Sequence, residues 1–361
     1  MVNEKRLLDT FLKLVQIDSP AREEAAIAQE LEARLRALGL AVERDGLNNV
    51  IARLPGQGAP LLLAAHMDTV MPGRGVKPVV RDGVVYSDGT TILGGDDKSG
   101  IAVILEVLQT IQEDKLPHPP LEVVITVQEE LGLIGAKGLD TSRLSSREGI
   151  SFDCGGPPGT IVVSAPSQNS LTVVVHGKAA HAGASPELGV NAIVVAAQAL
   201  VNMPLGRVDE ETTANFGLIE GGTARNIVPD RVELIGEARS RHPAKLQAQT
   251  DRMVEAFQSA AKSHGATVAV DVSRAYEGYR LTQGDGIVSR LMAACRAAGV
   301  QPFLKATGGG SDANVFNAQG RKIANLSTGM TGEHTTGEHI AVADMVACAQ
   351  IVLNCVQNRC A

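Results

Sequence analysis

The stretch 121–130, LEVVITVQEE, sets the terms for the whole chain. Its first half is a β-branched apolar run without polar alternation, the pattern of a strand buried on both faces. Its last two residues are adjacent carboxylates. Strands buried on both faces belong to sheets covered by helices, and in such sheets ligands bind in the crevice beyond the carboxyl ends of the strands. An isolated acidic pair is usually solvated surface. Here the pair has company: LLLAA at 61–65 runs straight into His66-Met67-Asp68, and a strand expected at 149–153 ends in Asp153-Cys154-Gly155. Three apolar strands therefore each end in imidazole or carboxylate.

Taken in order, the chain opens with helical periodicity at 4–16 and 22–38, followed by strands at 48–54 and 60–65 and a hairpin with an Asp-Gly turn at 79–86. A loop then leads into GGDDKSG and the apolar run IAVILEVLQTI, a long helix with Asp96 and Asp97 in its first turn. A short helix is expected in GLIGAKGLD. From Ser170 the pattern changes: SLTVVVHGK alternates apolar with polar, as in a sheet wet on one face. The elements that follow read βαββαβ, the ferredoxin-like order, and mark 169–276 as an inserted α+β domain. The α/β pattern resumes with a helix at 286–298, the loop ATGGGSD, a strand at 322–327 and a last helix at 342–356. The expected fold is α/β, a mixed and mostly parallel sheet sandwiched by helices, built from 1–168 and 277–361.

Composition excludes several functions. A net charge of −7 leaves no basic footprint for nucleic acid or anionic membrane, and 2% aromatic residues provide no base-stacking platform. No run is apolar for long enough to span a bilayer, and the amphipathic start MVNEKRLLDTFLKLVQ lacks a signal-peptide core, so the expected location is cytoplasmic. The five cysteines, Cys154, Cys295, Cys348, Cys355 and Cys360, are odd in number and without C-x-x-C spacing, which argues against a disulfide framework and a thiolate zinc site. Cys154 lies beside the suspected crevice and is read as a bystander.

The strand-exit residues, with the helix-start Asp96 and with His334 from the segment after the last strand, form one constellation: His66, Asp68, Asp96, Glu129, Glu130, Asp153 and His334. Five of the seven are carboxylates. At an effective dielectric near 20, two unit charges about 4 Å apart repel by about 4 kcal/mol, so such a cluster demands cations among its members. Imidazole and carboxylate donors without thiolate suit Zn²⁺, with Mn²⁺ or Co²⁺ as alternatives. The donors exceed what one tetrahedral site uses and fit two divalent ions about 3.5–4 Å apart.

In sequence these residues read H-x-D (66–68), G-D-D-K-x-G (95–100), E-E (129–130), a strand-terminal Asp153 and H-x-x-x-E (334–338). Five motifs in this order resemble the co-catalytic metallopeptidases of family M20, across essentially the whole chain, and GGGSDANVF with EHTTGEH most resembles the peptidase T-like branch. The resemblance implies a zinc-exopeptidase-like fold whose inserted domain acts as a lid and a homodimerisation surface. It implies that His66 and Asp153 hold one metal, Glu130 and His334 the other, and Asp96 both, the register being set by Lys98 in D-x-K. His339 competes with His334 but falls after Glu338, the expected partner of His334. Asp68 is expected to hydrogen-bond His66 and set its tautomer. Glu129 is the expected general base. His181, in GKAAHAG, is expected to stabilise an oxyanion. Asn226 and Arg239, with Gly309 and Ser311 of the glycine-rich loop, are expected to hold the substrate carboxylate.

The implied activity is a zinc-dependent aminopeptidase acting on short peptides, tripeptides foremost. Within the same chemistry the rivals are a dipeptidase and an amidohydrolase of N-acyl amino acids, since specificity lies in the pocket rather than in the metal residues. A rival of another class is a binding protein on a hydrolase scaffold, which the presence of Glu129 disfavours. A serine or cysteine hydrolase lacks its G-x-S-x-G elbow.

Overall fold

The computed structural model describes residues 1–357, so Cys360 lies outside the described residues. The chain divides into two compact units, one comprising Met1–Ser164, Arg280–Ala306 and the chain from Ser311, the other Ala165–Tyr279 with Thr307–Gly310.

In the first unit the apolar runs form a mixed sheet in the order Ala41–Arg44, Val50–Leu54, Leu121–Thr126, Leu61–His66, Glu148–Ser151, Lys322–Leu326 and Thr160–Ala165, ending on the short strand Tyr279–Arg280; Phe303–Ala306 pairs parallel with Thr160–Ala165. The strands Leu121–Thr126, Leu61–His66, Glu148–Ser151 and Lys322–Leu326 run parallel to one another at its centre. Their register fixes where the chemistry emerges. His66 lies opposite Thr126, and Ala64 opposite Ser151, so the residues just beyond, Asp68, Glu129, Glu130 and Asp153, leave the sheet at one edge. Every residue of Leu61–His66 and Leu121–Thr126 is buried, as uninterrupted apolar runs require. The strands Thr160–Ala165 and Phe303–Ala306 are not singled out in the sequence; the second, of four residues, carries too little pattern to be told from loop.

Helices flank this sheet. Glu4–Val15 starts on Asn3, whose side chain accepts the Arg6 N–H, and buries Leu7, Phe11, Leu14 and Val15 at helical spacing. It packs with Val342–Val356 around Gly95–Asp114, whose residues 95–108 are buried on all sides. The second helix begins at Ala25 rather than at 22: Arg22 takes a left-handed backbone, φ 79°, which ends any helical run there. The turn places Glu24 inside the protein.

The second unit is a five-stranded antiparallel sheet, ordered Gly206–Arg207, Thr212–Gly221, Arg231–Ser240, Ser167–His176 and Thr267–Tyr276. Setting aside the two-residue edge strand, the order is ferredoxin-like. Leu171, Val173 and Val175 alternate inward and share a core with Val195 of helix Ala192–Val201 and Leu246, Met253 and Phe257 of helix Pro243–His264. Among the described residues no helix is long and apolar enough to cross a membrane.

Candidate metal centre

Each member of the constellation is delivered by an element whose end is fixed. His66 closes its strand and is buried, with Nδ1 3.0 Å from the Asp68 backbone oxygen and Nε2 3.0 Å from Asp96 Oδ1. The other Asp96 oxygen, Oδ2, lies 3.2 Å from His334 Nε2, which is also 2.9 Å from Glu130 Oε1. Asp96 thus presents its two oxygens to two different histidines. Its own position is set by Glu338, buried at the start of helix Gly95–Asp114. Glu338 Oε2 accepts the N–H groups of Leu93 and Gly94 at 2.8 and 2.7 Å, and Oε1 accepts that of Asp96 at 3.0 Å. Glu338 therefore serves the helix start carrying Asp96, where the H-x-x-x-E spacing suggests a partner of His334. The peptide between Asp96 and Asp97 is cis.

Donor atoms from His66, Asp96 and Asp153 lie within 4.8 Å of one another, as do those of Asp96, Glu130 and His334; His66, Glu129 and Glu130 form a third such group. The first two groups share Asp96, contain five side chains and leave Glu129 over. His334 is in this cluster, whereas His339 stacks on Tyr86 with ring centroids 5.3 Å apart and places Nδ1 2.9 Å from the Gly337 oxygen.

The electrostatics favour positive charge. Burial, then the charge of Asp153, pushes the Glu129 carboxyl well up, and burial with Asp96 does the same to Asp153. Burial alone would raise Asp96 as well, but its hydrogen bonds to His334 and His66 outweigh it and hold the carboxyl low. Hydrogen bonds to Asp96 first and Glu130 second raise His334 to about 10. Buried carboxylates that repel one another, interleaved with imidazoles and with no thiolate among the grouped donors, fit divalent cations of the zinc type. Cys154 is in none of these groups, and burial pushes its thiol well up, away from thiolate chemistry.

Asp68 departs from expectation. Its Oδ1 is 3.6 Å from His66 Nδ1, beyond hydrogen-bond reach, and its oxygens instead accept the backbone N–H groups of Glu129 at 2.9 Å and Glu130 at 3.1 Å. The backbone carbonyl of Asp68, at 3.0 Å, lies nearer the His66 ring than its carboxylate, which keeps an ion-pair distance of 3.6 Å.

The remaining expected residues lie as follows. His181 Nδ1 accepts N–H groups from Gly183 at 3.2 Å and Ala184 at 3.0 Å, which places the proton of the neutral ring on Nε2. Asn226 lends its backbone oxygen to the Ala182 N–H, so the segments of His181 and Asn226 are neighbours within the second unit. Arg239 makes a two-pronged ion pair with Glu237, at 2.8 and 2.9 Å, so any substrate carboxylate there competes with an internal one. Gly309 N–H bonds Thr307 Oγ1, and Ser311 is a buried helix cap whose N–H is taken by Asn314. Ser311 is thus engaged in ending the glycine-rich loop.

Sequence reasoning passes over Asp312. It is buried, its Oδ2 accepts the hydroxyl of Thr126 at the strand exit, and burial pushes its carboxyl up to about 6. The available signal is an acidic residue opening a helix after the glycine-rich loop. Asn49 and Glu24 are passed over too; nothing in their local pattern marks them.

The model of peptidase family M20/M25/M40 matches residues 62–358. An uncharacterized protein of Bacillus subtilis (strain 168), YqjE, is 44% identical over 99% of both chains. Two solved structures are similar over nearly the full length. A tripeptidase from Staphylococcus aureus is 41% identical with a TM-score of 0.94, covering 99% of each chain. The aminopeptidase PepT from Bacillus cereus is 42% identical with a TM-score of 0.89, covering 99% of this chain and 98% of the other. With the strand-exit cluster and the two-unit fold described above, these likenesses establish that the chain belongs to peptidase family M20, on its peptidase T-like branch, and is a hydrolase of peptide or amide C–N bonds.

Proposed function

We propose that the protein is a two-metal aminopeptidase that releases the N-terminal residue of short peptides, tripeptides foremost, and that zinc is its metal. The observation carrying the two-metal part is Asp96, whose oxygens face His66 and His334 separately and which belongs to two donor groups at once. His66 and Asp153 would hold one cation and Glu130 and His334 the second, with Asp96 shared between them. When bound, the cations polarise the scissile carbonyl and make water more acidic.

The chain's own residues do the rest. Glu129, buried and left over from the shared donor groups, takes the proton of the attacking water and returns it to the leaving amine nitrogen. Asp68 holds the backbone on which Glu129 and Glu130 ride. His181, with its proton directed to Nε2 by two backbone donors at Nδ1, donates to the developing oxyanion. Asn226 and Arg239 receive the substrate carboxylate, Arg239 by exchanging it against Glu237.

The aminopeptidase reading is supported by the named activities of the full-length structural relatives. A panel of tripeptides, dipeptides and N-acyl amino acids tests it, together with metal analysis of protein purified without chelator. Preference for the acylated compounds removes the peptidase assignment, and one metal per chain removes the bridging role of Asp96. Homodimerisation through the second unit is part of the proposal, supported by the exposed apolar side chains Ile193, Val194 and Val201 on one helix and Leu218 and Ile219 on a strand. Sedimentation at micromolar concentration measures it.

A further inference from the structure

The strand Leu121–Thr126 ends in backbone whose donors are all taken by side chains from elsewhere in the chain. The Val127 N–H bonds Asn49 Oδ1 at 3.0 Å, that of Gln128 bonds Glu24 Oε1 at 3.1 Å, and those of Glu129 and Glu130 bond the two oxygens of Asp68. On the other side the carbonyls of Val127, Gln128 and Glu129 accept N–H groups from Gly135, Ile134 and Leu133. Gln128 has a left-handed backbone, φ 52°, a conformation disfavoured for a residue with a Cβ. This left-handed residue stands directly before Glu129.

Glu24 is the unexpected member. It directly precedes helix Ala25–Ala37 and makes no side-chain cap bond. Instead it is buried, and the single oxygen Oε1 accepts both the Arg22 N–H at 2.9 Å and the Gln128 N–H. This buried carboxylate reaches across 104 residues to the left-handed residue beside Glu129.

We propose that Glu24 is a positioning residue for Glu129: by accepting the Gln128 N–H it holds the left-handed turn that aims the Glu129 carboxylate. The inference rests on the reading of Glu129 as general base.

The test compares Glu24→Ala, Glu24→Asp, Glu24→Gln, Glu129→Gln and the double variant Glu24→Ala/Glu129→Gln, assayed on a tripeptide and normalised to folded, metal-loaded protein. Misplacing a catalytic group by about 1 Å costs about 100-fold, so Glu24→Ala is expected to lower kcat about 10- to 100-fold, with KM within about threefold and metal content unchanged. Glu24→Asp, which withdraws the oxygen by one methylene while keeping the charge, gives the same loss and replaces the alanine variant should that one not fold. Glu24→Gln keeps an oxygen acceptor at Oε1 and restores kcat to within about threefold. The double variant is no slower than Glu129→Gln alone, because a base that is absent cannot be mispositioned. A merely structural Glu24 moves none of these ratios. The inference is overturned by parental kcat in both Glu24→Ala and Glu24→Asp, by Glu24→Gln falling as far as alanine, or by a full further loss in the double variant. Full activity in Glu129→Gln overturns the general-base reading itself, and this inference with it. An inactive Glu129→Gln beside a fully active Glu24→Ala overturns this inference alone.

Discussion

Asp68→Asn separates two roles for one carboxylate. If Asp68 acted on His66, the change would alter the imidazole and little else in the metal-free protein. The geometry instead gives its two oxygens to the N–H groups of Glu129 and Glu130, at 2.9 and 3.1 Å, with the side chain fully buried. An amide has one oxygen, so one of these bonds survives at best, and its NH₂ is turned against the other N–H. A hydrogen bond to a charged group contributes about 1.5–3 kcal/mol, and a buried donor left unpaired costs about 1–3 kcal/mol. Relaxation of the Gln128 turn recovers part of this, leaving an expected loss of about 2–4 kcal/mol. Urea unfolding of chelated protein is the assay, since there no metal contributes to the difference. In the metal-loaded enzyme kcat is expected to fall about 100-fold through displacement of Glu129. Chelated Asp68→Asn unfolding within about 0.5 kcal/mol of the parent, the scatter of an inconsequential substitution, would refute the reasoning.

Three further outcomes follow from the same geometry. Glu129→Gln should lower kcat about 10²- to 10⁴-fold, the range for losing a general base, while two cations still bind by elemental analysis; turnover within tenfold of the parent contradicts the assignment. Removing the cations should make stability fall with pH. Asp97, Glu129 and Asp153 are raised above ordinary carboxylate values by burial first, so their contribution is full below about pH 4 and is lost as pH rises through their raised values. His334, raised to about 10 by Asp96 and Glu130, contributes fully below about pH 6.5 and loses that as pH rises through its folded value. Both act in the same direction, so thermal unfolding of chelated protein should occur at lower temperature at pH 8 than at pH 5. Added zinc should raise the midpoint more at pH 8, and an equal effect at both pH values contradicts the coupling. Gly100→Ala puts a methyl 2.4 Å from both Asp97 Oδ1 and Phe152 Cβ, and the overpacking should destabilise by about 1–3 kcal/mol in urea; an unchanged midpoint shows that the helix start yields.

The parallel centre of the sheet is legible in LLLAA and LEVVIT, because a strand buried on both faces must be apolar at every position and that requirement is written locally. The ferredoxin-like unit is legible in the alternation of Ser167–His176, where every second residue faces the core. His66, Asp96, Glu130, Asp153 and His334, whose side chains the fold gathers into two groups sharing Asp96, are marked in the sequence because strand ends and short motifs fix residue type and spacing. Whether Arg239 is available to a ligand is not legible: Glu237 stands two residues away on the same strand face, and only side-chain geometry shows the pair closed.

The amino-acid sequence alone determined which residues leave the sheet at the catalytic edge, since burial pattern and strand polarity are local properties of the chain. Only the tertiary structure decided what steadies them. Asp68 holds the loop of Glu129, Glu338 serves the helix start at Asp96, and Glu24 reaches Gln128. A backbone N–H has no residue identity, so its partner leaves no mark in any motif; a carboxylate 61 or 104 residues away finds it only when the fold brings them together.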